Sequence, residues 1–462
     1  MRVETSLRLY RVIFGLVIIS AAAILFLSLQ IGVGNYDQVI LVIEIVFFGF
    51  IALAISRHPY IGLVVTVVSL PVIDILPSIP FASSAISLIG GVTLVSFLLG
   101  KSREVNIATF TKPSGLAWGL LFLGWIMLTN PTAALLPSFG GRNWLFTYIQ
   151  LLLLAWLVSE LMDSPVKHHV LMWSYSIAAV ISAIYSIQQG SIGETIYESI
   201  RGSGLAEGAN SAARYFIVAL IFLYHLRSTK INSAQRLLVT AGIGILIFGV
   251  LVTVSRTGLI LLFAAIGMLS IQRAERSRQG QAGAILALFV MVIWLFADNI
   301  FSIARGIFPA IQAGTDTVGL RYALWQAGAR MWQDHVIQGI GIGQYPQQLI
   351  YYAIDLLPAY RLRLGAHNMY IEVLAETGSI GLMILSSQLM FTWIQLRTAI
   401  KNSEPLVSKL ANTWMMVFII MLLGGITKAD HYDKLVWMVI GVSALPLWKT
   451  DSTSEKDVNE TG

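Results

Sequence analysis

Arginine is the residue type that most clearly suggests chemistry in this sequence. The polar stretch 301–368 holds five arginines and two histidines but only three acids, so carboxylates cannot neutralise all of its arginines. The planar guanidinium group binds oxyanions such as phosphate through two parallel hydrogen bonds and tolerates partial desolvation. The arginines therefore indicate a phosphate-binding site. Anchoring to lipid headgroups is the alternative interpretation.

Arg321 opens a helical pattern that continues to about His335. At 100° per residue, Arg321 shares one face of this helix with Trp325 and Trp332. A helix with tryptophans on one face is typical of the lipid–water interface, so we expect Arg321 to lie at the depth of lipid headgroups. Arg330 points the opposite way, and we predict that it is solvated.

His367 is the candidate for proton transfer. It stands directly before Asn368, a favourable helix N-cap, and before the apolar run that begins at Met369. The positive end of a helix dipole disfavours imidazolium, and a neutral imidazole can accept a proton. An interfacial histidine without a role is the alternative. Glu372 and Glu376 follow one turn apart within the apolar run, where we expect them to face a polar interior and either pair with an arginine or orient His367.

Several other kinds of site have no support in the sequence. The chain has no cysteine, which excludes disulfides, thiolate catalysis and cysteine-based metal sites. No Walker loop, H-E-x-x-H spacing or aspartate-rich metal pair lies in a polar region, so we expect a site without metal or cofactor. The run Gly339-Ile340-Gly341-Ile342-Gly343 lacks the strand–helix unit of a dinucleotide fingerprint. We interpret it as a tight loop against the bilayer surface.

The composition shows what must position these residues. Of 462 residues, 56% are hydrophobic and only 12% are charged, against about 25% charged in an average soluble protein. The mean hydropathy is +0.76. A water-soluble chain could not hide so much apolar surface, so lipid must be the solvent. This excludes soluble enzymes, nucleic-acid-binding modules and disordered scaffolds, and the net charge of +6 is attributed to basic residues that flank spans.

We predict an all-α polytopic membrane protein with about fourteen transmembrane helices, twelve being possible, because a span needs about 20 apolar residues. The candidate spans are 12–32, 38–56, 60–78, 82–99, 115–130, 143–161, 168–187, 212–226, 236–254, 257–271, 282–300, 369–395, 409–427 and 432–448.

Orientation follows from the distribution of lysine and arginine, which favours cytoplasmic loops. With both termini in the cytoplasm, 19 basic residues fall inside and 11 outside. The polar stretches 188–211 and 301–368 and the tight connection Ser255-Arg256-Thr257 then share the outer face, and the tail 449–462 is cytoplasmic and disordered. Nine outer basic residues are arginines: Arg142, Arg201, Arg214, Arg256, Arg305, Arg321, Arg330, Arg361 and Arg363.

The order and separation of several short motifs resemble the O-antigen ligase/polymerase superfamily. The similarity covers about residues 240–385. It divides the chain into N-terminal transmembrane helices (1–239), a ligase/polymerase-like core that includes the loop 301–368 (240–448), and the tail (449–462). The motifs are Ser255-Arg256, Arg321-Tyr322-Ala323-Leu324-Trp325, Gly339-Ile340-Gly341-Ile342-Gly343, Ala366-His367-Asn368-Met369-Tyr370 and Glu376-Thr377-Gly378-Ser379-Ile380-Gly381-Leu382.

The resemblance implies a GT-C-like, metal-independent glycosyltransferase of the bacterial inner membrane. Such an enzyme moves a glycan from an undecaprenyl-diphosphate carrier to a hydroxyl group of an acceptor glycan or lipid at the outer face. On the matching positions, Arg256 and Arg321 would bind the diphosphate and His367 would act as the general base. Arg201, in the loop before the span 212–226, is assigned a contact with the carrier or the glycan.

Other functions stay open at the level of sequence. A secondary transporter or a lipid-linked glycan flippase would use Glu44, Asp74 and Glu372 as coupling sites, although the two similar halves common in transporters are not seen. A structural subunit of a glycan-export complex would use the arginines only to bind lipid. Within the enzyme interpretation, fourteen spans favour a polymerase slightly over a ligase.

Overall fold

The computed structural model describes residues 49–75, 85–102, 115–135, 143–192, 203–229, 231–253, 255–274, 317–429 and 431–445. All regular secondary structure in these residues is helical, as predicted. The predicted spans 12–32 and 282–300, most of the span 38–56, the tail 449–462 and the residues Glu44 and Arg201 lie outside the described residues.

The helices are short and irregular near residue 70 and regular over most of the rest. In chain order they are α1 (Pro59–Val68), α2 (Ala85–Ser102), α3 (Leu116–Thr129), α4 (Pro131–Leu135), α5 (Trp144–Leu161), α6 (Pro165–Ile192), α7 (Ala209–Arg227), α8 (Ser233–Val252), α9 (Arg256–Ala274), α10 (Thr317–Asp334), α11 (Tyr345–Tyr352), α12 (Met369–Asn402), α13 (Pro405–Gly424) and α14 (Lys434–Ser443). Leu70–Ile75 and Ala359–Arg361 form 3₁₀ helices.

Six helices of the described part are long and apolar enough to cross a membrane, namely α5, α6, α7, α8, α12 and α13. Shorter apolar segments lie in α1, α2, α3, α9 and α14. The chain is therefore compatible with a polytopic membrane protein, and the total of fourteen spans stays a prediction. The predicted span 60–78 is interrupted instead of continuous, since α1 gives way to a 3₁₀ helix at Leu70 and Pro71 cannot donate a helical hydrogen bond.

Helix α7 lies at the centre of the bundle and packs against α6, α8, α9 and α13. It is buried on nearly all sides, as expected for a mostly apolar helix in the core of a large bundle. Arg214 in this helix is also buried, with its guanidinium 3.7 Å from the Asp433 carboxylate at the start of α14. Arg214 is therefore enclosed in the bundle and does not line an open surface, unlike our expectation for the outer arginines.

Helix α12 is kinked at Gly378, whose φ of 69° lies in the left-handed region. The kink frees backbone carbonyl groups, which are costly to leave unpaired in a membrane. The carbonyl of Ala375 accepts a hydrogen bond from the Ile340 N–H (2.9 Å), and the carbonyl of Glu376 accepts one from the Gly341 N–H (2.9 Å). The loop 339–343 therefore supplies hydrogen-bond donors to carbonyl groups that the kink leaves without helical partners.

The same loop is tight, as predicted, but it packs against protein and not against the bilayer surface. Gly339, Gly341 and Gly343 all have positive φ. A Cβ atom on Gly339 would lie 2.3 Å from the carbonyl carbon of Glu376, so only glycine permits this approach. The glycine spacing thus reflects contact between two backbones.

Residues 317–368, which we call the lobe, contain α10 and α11 and have an apolar core of their own. The lobe packs on the first half of α12, and its fully buried core residues include Leu324, Met331, Tyr345 and Leu349.

Helix α10 confirms the predicted helical pattern, but its tryptophan face is turned toward α12 and not toward lipid. The indole N–H of Trp325 donates to the carbonyl of Ala366 (3.2 Å), and that of Trp332 donates to Ser379 Oγ (3.0 Å). A half-buried indole N–H needs such an acceptor, which explains why this face packs against protein. On the opposite side, Arg330 is solvated as predicted and forms a two-pronged ion pair with Asp355.

Candidate functional site

Three helix starts and one loop converge on a single face of the bundle, which we call the site face. Ser255, directly before α9, donates a hydrogen bond from its hydroxyl to Asn210 Oδ1 in α7 (2.7 Å). The same hydroxyl accepts from the Gly258 N–H (3.0 Å) and so caps α9. One residue further along α7, Ser211 Oγ accepts a hydrogen bond from Lys428 Nζ (2.7 Å). The starts of α7 and α9 are therefore joined to the loop after α13.

The start of α12 lies against the same loop. The Met369 N–H donates to the Gly425 carbonyl (2.7 Å), and the Tyr370 hydroxyl donates to the Leu422 carbonyl (3.0 Å). The ends of the polar stretches 188–211 and 301–368 thus lie near the connection 255–257 on the site face. That this face is the outer one stays a prediction.

His367 is held in an unusual backbone conformation on the site face. Its φ of 48° lies in the left-handed region, which non-glycine residues rarely adopt. The preceding peptide is fixed because the Ala366 N–H donates to Glu372 Oε2 (2.9 Å) and its carbonyl accepts from Trp325. The following residue is fixed because Asn368 caps α12 through Oδ1, as predicted. A strained residue clamped on both sides is typical of functional positions.

The His367 side chain is exposed, and no described residue forms a hydrogen bond with its ring. Crowding by surrounding protein atoms limits hydration of the ring and lowers the pKa of His367, and the positive charges of Arg321 and Lys428 lower it further. The pKa therefore lies below the ordinary value of 6.5, and the imidazole is neutral near pH 7. A neutral, exposed imidazole beside two cations can accept a proton from a bound molecule.

The two predicted phosphate-binding arginines occupy different positions on the site face. Arg321 is half-buried in α10 and lies within electrostatic range of His367. Arg256 is the first residue of α9 and its side chain is exposed. Hydrogen bonds through Ser255 and Lys428 connect the start of α9 to the loop after α13, and Lys428 lies within electrostatic range of His367.

Lys428 is the residue that sequence reasoning missed. Besides its bond to Ser211, its ammonium group lies 3.7 Å from Glu207, and it lowers the pKa of His367. A basic residue beside an apolar run normally indicates the orientation of the span, so the sequence did not predict a functional role for Lys428. Its residue type could have indicated this role, because only two of the eleven basic residues predicted on the outer face are lysines.

The two acids in α12 are buried and form hydrogen bonds with different segments. Glu372 accepts from the Ala366 N–H, and its other oxygen, Oε1, lies 3.9 Å from His431 Nε2. Glu376 accepts from the Tyr345 N–H (3.0 Å). Glu372 is therefore bonded to the segment that carries His367, and a second contact of its carboxylate is with His431.

Asp74, which the sequence placed inside the membrane, is exposed at the end of the 3₁₀ helix. Its backbone N–H donates to the carbonyl of Leu205 in the loop before α7 (3.1 Å). The break at Pro71 explains this position, because the interrupted span does not carry Asp74 through the bundle. A coupling role for Asp74 stays part of the transporter alternative.

Residues 241–386 match the sequence family described as O-antigen ligase. The chain carries an O-antigen ligase domain. This match confirms the resemblance to the O-antigen ligase/polymerase superfamily and supports a membrane enzyme of glycan transfer. No curated protein matches the chain. The O-antigen ligase domain contains Arg256, Arg321 and His367, whereas Lys428 lies beyond it.

Proposed function

We propose that the chain transfers a glycan from an undecaprenyl-diphosphate carrier to an acceptor hydroxyl at the outer face of the bacterial inner membrane. The observation that carries this proposal is His367, held neutral and exposed beside Arg321 and Lys428. The O-antigen ligase domain supplies the reaction type. In this proposal the site face is extracytoplasmic and both termini are cytoplasmic.

The cations act on the leaving group. As the bond between the anomeric carbon and the phosphate oxygen breaks, negative charge develops on the diphosphate. Guanidinium groups of Arg256 and Arg321 that are already in place stabilise this charge more in the transition state than in the ground state. Lys428 adds a third positive charge near His367. In this mechanism, positively charged side chains stabilise the negative charge on the diphosphate, and no metal is required.

His367 acts on the acceptor. The acceptor oxygen forms its bond to the anomeric carbon while its proton passes to the neutral imidazole, and the polyprenyl diphosphate departs. Base catalysis of this kind contributes about 10²–10⁴-fold in rate. With the base opposite the leaving group, attack is in line and the anomeric configuration inverts.

The buried acids are positioning residues in this proposal. Glu372 holds the Ala366 N–H and thereby the strained backbone of His367, and Glu376 holds Tyr345 in the lobe. Arg201 is proposed to contact the carrier or the glycan. Membrane lipids and a carrier-linked oligosaccharide are the expected partners, and nucleic acid is not.

The proposal is tested by a transfer assay with purified full-length protein in lipid nanodiscs and a labelled undecaprenyl-diphosphate oligosaccharide. We expect His367→Gln to reduce transfer by about 10²–10⁴-fold. His335→Gln, which changes an exposed histidine of the same lobe, is the matched control and should keep full activity. Full transfer by His367→Gln, or carrier translocation without any transfer by the unaltered protein, would contradict the proposal.

A further inference from the structure

Three side chains with metal-ligating groups meet inside the bundle, beneath the segment that carries His367. Glu372 and Glu376 lie one turn apart in α12, and His431 comes from the loop before α14. All three are buried, and one ligand atom from each lies within 4.8 Å of the other two. The proposed transfer mechanism gives this cluster no proton or charge to handle.

Each carboxylate uses one oxygen for the backbone and keeps the other within the bundle. Glu372 Oε2 accepts from Ala366, while its Oε1 lies 3.9 Å from His431 Nε2. Glu376 Oε1 accepts from Tyr345, and the Gly343 N–H also interacts with this carboxylate, while its buried Oε2 has no hydrogen-bond partner among the described residues. A buried carboxylate oxygen without a partner is costly, so this arrangement calls for a missing cation or proton.

The chemistry of the three groups fits a divalent cation of the zinc class. Two carboxylates close together in a low dielectric repel each other, and one divalent charge neutralises both. Imidazole nitrogen combined with carboxylate oxygen suits zinc, whose bonds are about 2.0–2.2 Å long. Ligand atoms around such an ion lie roughly 3.5 Å apart, so small side-chain movements close the cluster onto it.

We propose that Glu372, Glu376 and His431 bind one zinc-class divalent cation that fastens α12 to the start of α14. The role is structural, because the ion would lie behind the backbone of the His367 segment and not among the cations that face the substrate. The opposing explanation is that two protons, one on a carboxylate and one on the imidazole, neutralise the same cluster.

The experiment uses full-length protein in detergent, stripped with a chelator, desalted and then given Zn²⁺ alone. Bound zinc is measured by mass spectrometry after a second desalting, and the apparent Tm is measured with and without the ion. We expect one zinc per chain and a rise in Tm of about 5 °C at saturating zinc. Glu376→Gln and His431→Gln should each lose both the bound zinc and the rise in Tm.

His335→Gln is the matched control, because His335 is exposed beside Asp334 and is a typical place for adventitious zinc. We expect this variant to retain the single zinc. If the unaltered protein retains no zinc, or if Glu376→Gln and His431→Gln retain as much as the unaltered protein, the proposal is overturned and the proton explanation stands. Should one variant fail to fold, the extended X-ray absorption spectrum of the zinc-loaded unaltered protein decides instead. A spectrum without scattering from an imidazole ligand contradicts the site. None of these measurements involves a glycan donor, so their outcome is separate from that of the transfer assay.

Discussion

A single histidine, His367, and a group of three histidines lie in two regions of this molecule, and the surroundings of their rings differ. His367 lies on the site face, whereas His168, His169 and His225 lie toward the other end of the bundle. Ser211 and His225 belong to the same helix α7, and a rise of 1.5 Å per residue separates them by about 21 Å.

In the second group the rings bind protein. His168 Nδ1 accepts a hydrogen bond from the indole of Trp414 (3.0 Å), and His225 Nδ1 contacts the Thr413 hydroxyl (2.8 Å). His169 and His225 share a contact between their Nε2 atoms (3.2 Å). Buried polar groups that satisfy one another in this way specify the packing of α6, α7 and α13.

His367 has the opposite surroundings, with an exposed ring, no hydrogen bond to a described residue and two cations nearby. The comparison teaches that residue type alone does not separate a reactive histidine from a structural one. The hydrogen-bond partners of the ring separate the two kinds of histidine. Substitutions on the site face should therefore affect transfer, and substitutions in the His168/His169/His225 group should affect stability.

After His367→Gln, the largest effect that sharpens this comparison is expected from Arg321→Lys. A lysine keeps the charge but not the planar fork, so transfer should fall by about 10²–10³-fold, as for the loss of a preorganised donor to a developing anion. The measurement is kcat in the transfer assay. Arg330→Lys, in the same helix but paired with Asp355 on the surface, is the control and should change kcat little. Equal losses in both variants would show that the whole helix, and not the cation beside His367, determines activity.

A smaller effect of a different kind is expected from Trp414→Phe. The change removes the indole donor and leaves His168 Nδ1 buried without this partner, which should cost about 1–3 kcal/mol of stability. The apparent Tm should therefore fall, while kcat of the remaining folded protein stays unchanged. A loss of kcat without a loss of Tm would break the comparison, since it would make the second histidine group part of the chemistry.

Much of the fold follows from the sequence because helical periodicity and capping are local. The helix from 317 to 334, the N-cap at Asn368 and the tightness of the loop 339–343 are local properties of this kind, and the structure has them. The gathering of polar stretches on one face follows from span alternation, which adds only the assumption that each helix crosses the membrane.

The partners of each face do not follow from the sequence. Periodicity identifies the face of α10 that holds Trp325, but the acceptor that turns this face toward α12 lies in a segment 41 residues later. Lys428 joins Ser211 across 217 residues, and no local pattern reports such a contact. His431 lies near Glu372 although 59 residues separate them in the sequence, so the sequence did not predict this contact.

The pH dependence of kcat/KM in Lys428→Gln tests the central claim most directly, because this claim is that His367 acts as a neutral base beside the two cations. In the unaltered enzyme, kcat/KM should fall as the pH decreases through the pKa of His367, which lies below the ordinary value of 6.5. Removing the charge of Lys428 raises the pKa of His367, so we expect the acid limb of Lys428→Gln to move to higher pH. An acid limb that stays in place or moves to lower pH would contradict the account.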